Sequence, residues 1–325
     1  MPRFLPFPGI RYHARDISAV SAPPYDVIEP EARAALEARD PQNAVRLILP
    51  DTYDAAAVAL ARWRDEGVLV TDDAPTFSIY RMDFTGDNGI PQRTTGVLGA
   101  LALDDDGSGV MPHERTLPKA KTDRLELLRA TRANLDPIWG LSLSGGLSSL
   151  LSPGDAEPDA TAVDEDGFHH SLWKVTDPER IAAISDAVGS ELVVLADGHH
   201  RFETANNYRR ERRAEGIDDP GADAIMTLIV ELALSELPPE LRDVDSARFD
   251  AGVLPAVPGV TLAYRNDAQT VAAAVAKGDA DAAVLLRPVS VETIRAAAAA
   301  DLRMPEKTTF FAPKPRTGMV FRSLD

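Results

Sequence analysis

Two apolar periods alternate along the chain. Pro30-Glu-Ala-Arg-Ala-Ala-Leu-Glu-Ala-Arg39 sets proline at a first helical turn ahead of strong helix formers, and a second helix is predicted from about Asp54 to Glu66, leading into Val68-Leu-Val70. Between them, Ala44-Val-Arg-Leu-Ile-Leu49 predicts a strand. Alternation over Thr76 to Phe84, and more loosely over Arg93 to Leu103, predicts a hairpin turned by Gly86-Asp-Asn-Gly89. Leu125, Leu128 and Leu135 lie near one face of a helix expected over roughly Ala120 to Ala133, and the Ser, Gly and Pro content of 142–158 predicts a loop. Asp177-Pro-Glu-Arg begins a helix with a capping aspartate and a first-turn proline, and Gly189 is expected to end it. The apolar strand Leu192 to Ala196 then breaks at Asp197-Gly198 and opens into a helix over His199 to Glu215. Ala222 to Leu234 reads as a buried helix or strand, Ala282 to Arg287 as a strand, and Arg303 to Arg322 as a loop followed by a strand. The proline-rich first 30 residues, ending in Ser21-Ala-Pro-Pro-Tyr-Asp-Val-Ile-Glu-Pro30, read as an ordered extended loop.

The start of the His199 helix is chemically out of place. A helix N-terminus carries about half a positive charge and unpaired N–H groups, so His199, His200 and Arg201 are poorly placed there without a negative partner. A phosphate held by backbone N–H groups, with Arg201 closing on it through its planar fork, would supply that charge. Gly198 permits close backbone approach, and Asp197 adds a carboxylate at the same bend. The plainer alternative is a pair of exposed turn histidines. The arginines at 209, 210, 212 and 213 suit a helix C-terminus and read as structural.

Composition narrows the partners. The chain has 325 residues, 44% of them hydrophobic and 26% charged, as in soluble globular proteins. Its formal net charge of −17 opposes general binding to nucleic acid or anionic membranes, so an anion site must be local. Without cysteine there are no disulfides, thiolate metal sites or thiol nucleophiles. No apolar h-region or membrane-length apolar run is evident, which points to a cytoplasmic protein; a homodimer stays open. Neither a P-loop nor a Gly-x-Gly-x-x-Gly fingerprint is present.

Four separated segments concentrate the remaining polar residues: Pro23-Pro-Tyr-Asp26, His113-Glu-Arg-Thr116 with Lys119 and Lys121, Asp197 to Arg201, and Lys307 with Lys314. Carboxylates that can hold a metal or take a hydroxyl proton, together with cations for phosphate oxygens, make the inventory of a phosphoryl-transfer site. Taken alone, His113-Glu114 reads as an ordinary salt-linked turn.

The same segments resemble the family catalogued as domain of unknown function 1015. The matching patterns are Pro-Pro-Tyr-Asp-Val-Ile at 23–28, Asn-x-Val-Arg-Leu at 43–47, Pro-His-Glu-x-Thr at 112–116, Ala-Asp-Gly-His-His-Arg-x-Glu-Thr-Ala at 196–205, and Met-Pro-x-Lys-Thr-Thr-x-Phe-x-Pro-Lys at 304–314. The Asp-Gly-His-His-Arg turn is in addition similar to that of the free-serine kinases of the ParB and sulfiredoxin-like superfamily, whose pyrophosphate-dependent version is associated with relatives of this family. The resemblance implies an α+β (mixed α/β) fold with a ParB/sulfiredoxin-like phosphate-binding core in residues 1–235, a variable α/β segment at 236–302, and a loop and strand at 303–325 returning to the main domain. It implies a small-molecule kinase that phosphorylates free L-serine from pyrophosphate, ADP or ATP, with Mg²⁺. In that reading Gly198, His199, His200, Arg201, His113 and Lys307 bind phosphate, and Tyr25, Thr116 and Lys314 bind substrate. Asp197, Glu114 and Asp26 are then the catalytic carboxylates, with Asp197 also at the metal. One departure is that Leu228-Ile-Val-Glu-Leu232 continues where the family has a His-Arg dipeptide. That keeps open a non-catalytic nucleotide- or phosphate-binding regulator, and a metal-dependent phosphoester hydrolase uses the same inventory.

Overall fold

A computed structural model of the chain describes residues 1–86, 89–103, 109–112, 118–232, 268–280 and 313–325. The chain divides into two compact units, Met1–Met111 with Leu117–Leu232 and Ala312–Asp325, and Pro112–Thr116 with Ala233–Phe311. In the first unit β1 (Phe4–Leu5), β2 (Gly9–Tyr12), α1 (Ile17–Val20) and a 3-10 turn at Tyr25–Val27 precede α2 (Pro30–Arg39), α3 (Val45–Ile48) and α4 (Tyr53–Asp65). Then come β3 (Leu69–Thr71), β4 (Phe77–Thr85), β5 (Pro91–Ala102), β6 (Val110–Pro112), α5 (Pro118–Thr131), β7 (Ala133–Asn134) and β8 (Ile138–Ser142). They are followed by α6 (Leu147–Leu150), β9 (Ala160–Val163), β10 (His169–Val175), α7 (Pro178–Gly189), β11 (Val193–Asp197), α8 (His199–Ala214) and β12 (Ala224–Glu231). Within the second unit the described helix is α9 (Ala268–Lys277), and β13 (Phe321–Ser323) closes the first unit.

The fold is mixed α/β. One sheet runs β6-β11-β8-β12-β5-β4-β10-β9, with β1 also on β5; a smaller one runs β3-β2-β13-β7. Of the described pairings, β12 with β8 is parallel and the others are antiparallel. Ile79, Val97, Ile138, Val193, Leu195 and Ile229 line the face of the large sheet that packs with Ile184 and Val188, one turn apart on α7. Ala56, Leu60 and Trp63 of α4 form the corresponding stripe over the small sheet, against Ile10, Leu69 and Phe321.

The alternating hairpin, α2, α4, α7 and the strand before Asp197 lie where periodicity puts them, and the described part of Ala222–Leu234 holds the strand β12 (Ala224–Glu231). The strand expected over Ala44–Leu49 is instead α3. Its cause is tertiary: buried Asn43 accepts from Val45 N–H (2.9 Å) and donates from Nδ2 to Ala19 O and Ser21 O, which starts a helical turn despite the β-branched sequence. Asn43→Ala, which withdraws the side-chain partner of Val45 N–H and Ala19 O and leaves Ser21 O to Arg316 Nη2 alone, is expected to lower unfolding free energy by about 2–3 kcal/mol in a urea titration. α5 stops at Thr131, short of the expected Ala133. Arg132 adopts a left-handed φ of 46°, and its guanidinium is held by Asp219, Tyr208 and Asp325. α7 includes Gly189 and is capped by Ser190. The segments read as loop over residues 1–30 and 142–158 contain β1, β2 and α1, and α6. The tip of the hairpin turn (87–88) and the strand expected at 282–287 lie outside the described residues.

Candidate functional site

β11 is buried along its length and ends at Asp197, where its register against β8 shifts between Leu195 and Asp197. The bend turns that carboxylate out of the sheet. Gly198 follows with φ +89°, and α8 starts at His199, with the first helical bond from Phe202 N–H to Gly198 O. His199 is buried and His200 partly so.

The C-terminal segment crosses this bend. Thr317 exchanges both backbone hydrogen bonds with Ala22, setting residues 313–317 beside Pro23-Pro-Tyr-Asp26. Arg316 fastens the crossing by donating its backbone N–H to Tyr80 Oη (3.0 Å) and its guanidinium to Ser21 and Glu165. Lys314 therefore arrives between two carboxylates distant in sequence, with its Nζ donating to Asp26 Oδ2 at 2.7 Å and Asp197 Oδ1 at 3.0 Å. Arg201, one helical turn past Asp197, donates to Asp197 Oδ2 (2.9 Å) and Pro137 O (2.6 Å), while its buried Nε meets no acceptor among the described residues. Tyr25 presents its ring to two guanidiniums, Arg124 at 4.2 Å and Arg201 at 5.9 Å. Part of the negative charge that the helix start calls for is thus Asp197 itself.

Burial alone would raise Asp26, but the Lys314 ammonium and Arg201 outweigh it and hold its carboxyl below the ordinary range. Burial works against the charged Lys314 and Arg201 as well, yet Asp197 with Asp26, and Asp197 with Asp136, keep both firmly protonated. Burial raises Tyr25.

Three residues of this cluster have no part in the sequence motifs. Arg124 of α5 donates to Ile48 O and to Asp123. Asp136, ahead of β8, accepts from the Thr317 hydroxyl. Burial pushes the Asp136 carboxyl up to about 6, against the pull of Arg201 and Arg124. A cavity of about 50 Å³ is lined by Arg124, Asp136 and Arg201 together with Leu127, Leu135 and Ile225. The legible signals were an arginine among the apolar positions of α5 and a second carboxylate flanking a buried strand.

The Asp136 shift has a stability consequence. Its folded value lies above the ordinary carboxylate value near 4, so the native state holds a proton that the unfolded chain releases between about pH 4 and 6. Stability from this group therefore declines as pH rises through that window. Asp136→Asn is expected to be more stable than the parent by roughly 2–3 kcal/mol above pH 7, with no difference below about pH 4, in urea titrations at the two pH values.

The structure brings together Tyr25, Asp26, Asp197, Gly198, Arg201 and Lys314 of the residues singled out by sequence. His113, Glu114, Thr116 and Lys307 lie outside the described residues, as do the side chains of Lys119 and Lys121. The four later arginines of α8 are engaged within the fold: Arg209 and Arg213 pair with Asp223, Arg212 with Asp219, and Arg210 donates to Asn207. Among the described residues no group of three or more His, Asp or Glu is placed to hold a metal. Asp26 and Asp197 are two carboxylates converging on one cationic atom, a set that fits Mg²⁺ shared with phosphate oxygens rather than an all-protein cage. No described helix is long and apolar enough to cross a membrane.

The family model described as "Protein of unknown function (DUF1015)" matches residues 4–238. No curated protein and no solved structure matches the chain.

Proposed function

This chain belongs to the DUF1015 family of proteins of unknown function, and from that premise we propose that it is a small-molecule kinase transferring a phosphoryl group to the hydroxyl of free L-serine. The observation that supports this best is the meeting of Asp26, Asp197 and Lys314 at the start of α8, beside Arg201. Phosphoryl transfer is mostly positioning and charge stabilisation, and it requires cations and a proton acceptor within one site. The proposal extends the likeness to a ParB/sulfiredoxin-like core.

In this reading pyrophosphate, ADP or ATP lays its terminal phosphate against Arg201, Lys314 and the first N–H groups of α8 at Gly198, His199 and His200, with His113 and Lys307 as further phosphate ligands. The serine oxygen forms a bond to phosphorus as the bridging P–O bond breaks and the shortened donor leaves. The hydroxyl proton passes to Asp197 or Asp26, with Glu114 as the further acid or base. Tyr25 and Thr116 line the serine subsite. Mg²⁺ held by Asp197 and Asp26 would neutralise charge on the transferring phosphate.

A second reading has its own support. With Lys314 spanning both carboxylates, each is already engaged as an ion-pair partner, which suits a phosphate-binding regulator that does not turn over. Mass spectrometry of purified protein with L-serine, Mg²⁺ and, separately, pyrophosphate, ADP or ATP decides between them. O-phosphoserine that disappears in Lys314→Ala supports the kinase and names its donor. Ligand-induced thermal stabilisation without product supports the regulator, phosphate release without serine a hydrolase, and neither binding nor product removes the phosphate site.

A further inference from the structure

Among the described residues the cluster at the start of α8 has three cations, Arg124, Arg201 and Lys314, and three inner carboxylates, Asp26, Asp136 and Asp197, with Asp123 on Arg124 at its edge. Their hydrogen bonds are unevenly shared. Lys314 serves Asp26 and Asp197, Arg201 serves Asp197 and the Pro137 carbonyl, and Arg124 serves Asp123 and the Ile48 carbonyl. Among the described residues no cation hydrogen-bonds Asp136, whose partner is the neutral Thr317 hydroxyl. It is nonetheless buried and lines the same small cavity as both guanidiniums.

A buried carboxylate answered only by a hydroxyl is the most easily protonated of the three. Asp123 already answers Arg124, so among the described residues the carboxylates outnumber the cations by one when all are ionised, and an arriving oxyanion would meet an excess of negative charge. With Asp136 neutral that excess is gone and the field of Arg201 is left to the oxyanion. We infer that Asp136 is a further residue of the oxyanion site, taking up a proton when an oxyanion settles against Arg201 and so setting the pH range in which the site binds. Its upward-shifted titration, near 6, lies where such uptake operates at neutral pH. The groups that face it are Arg201 on α8, Arg124 on α5, Tyr25 and Asp26 of the 3-10 turn, and Lys314 and Thr317 of the C-terminal segment.

This inference rests on the cluster being an oxyanion site, and its test separates the two. Sulfate is the probe, because its charge does not change between pH 5 and 8. Calorimetric titration of the full chain is expected to give sulfate binding about tenfold weaker at pH 7.5 than at pH 5.5, with net proton uptake when buffers of different ionisation enthalpy are compared. His199 and His200 stand at the same helix start, so the decisive comparison is Asp136→Asn, which keeps them. It should lose most of the pH dependence and bind at pH 7.5 nearly as the parent does at pH 5.5. Thr317→Val, which withdraws the hydroxyl from the ionised carboxylate, should move the parent's pH dependence to higher pH. An unchanged profile and proton count in Asp136→Asn overturn the role of Asp136 alone. Absence of sulfate binding by either protein at every pH overturns the oxyanion site, and this inference with it.

Discussion

Arg201→Ala is expected to weaken pyrophosphate binding by roughly a hundredfold and to lower unfolding free energy by about 3–5 kcal/mol. The two losses have separate origins. Binding suffers because Arg201 is the guanidinium at the first turn of α8, with a buried Nε that meets no acceptor among the described residues and can serve a phosphate oxygen. Stability suffers because its other bonds hold the Asp197 carboxylate and the Pro137 carbonyl, both left facing a cavity once the side chain is gone. Arg201→Lys tells the effects apart: an ammonium can retain one ion pair with Asp197 but cannot bridge to Pro137 while presenting a further N–H to a ligand. Isothermal titration and urea unfolding of both variants read the two quantities. Unchanged pyrophosphate affinity in Arg201→Ala would remove Arg201 from the site.

Gly198→Ala carries the second large effect, and it acts on the backbone. The residue is left-handed at φ +89°, and a Cβ there would lie 2.7 Å from Ile138 Cγ2 and 3.0 Å from Ile138 Cβ. Left-handed conformation costs an L-residue roughly 1–2 kcal/mol and overpacking a further 1–3 kcal/mol, for a total of about 2–5 kcal/mol. Ile138 opens β8 directly after Asp136-Pro137, so relief of the clash displaces either the strand that positions Asp136 or the turn that positions Asp197. Both stability and ligand affinity are therefore expected to fall. Pairing with Ile138→Ala gives the check: the double variant should recover the part due to the clash and retain the part due to φ, and equal losses with and without Ile138 would place the whole cost in the backbone.

Periodicity made much of this fold legible, and its failures share a cause. α2, α4 and α7 combine helix-forming sequence with cap or first-turn signals that act within one or two turns of chain. The β4–β5 hairpin has the required alternation at both arms. α3 reads as a strand because what makes it a helix is Asn43 bonding to carbonyls of another segment. The end of α5 is likewise fixed by Asp219 and Asp325, which neutralise Arg132 from elsewhere in the sequence.

The site divides in the same way. Asp26, Asp197, Arg201 and Lys314 stood out as polar residues concentrated in short motifs. Arg124, Asp136 and Thr317 did not, because a single arginine in an amphipathic helix, one aspartate before a strand and one threonine acquire meaning only from the neighbours that folding brings to them.

β13 is synthesised after both of the strands it joins, β2 and β7. β13 lies between β2 and β7, and the segment leading to it supplies Lys314, Arg316 and Thr317. While the ribosome has yet to deliver those residues, β2 and β7 present open edges to each other's missing partner, and Asp26 and Asp197 lack the ammonium between them. A nascent chain can assemble its large sheet during translation, but this corner must wait until β13 and the segment before it have emerged. Until then it is where a chaperone, or another unfinished copy, finds an unpaired strand.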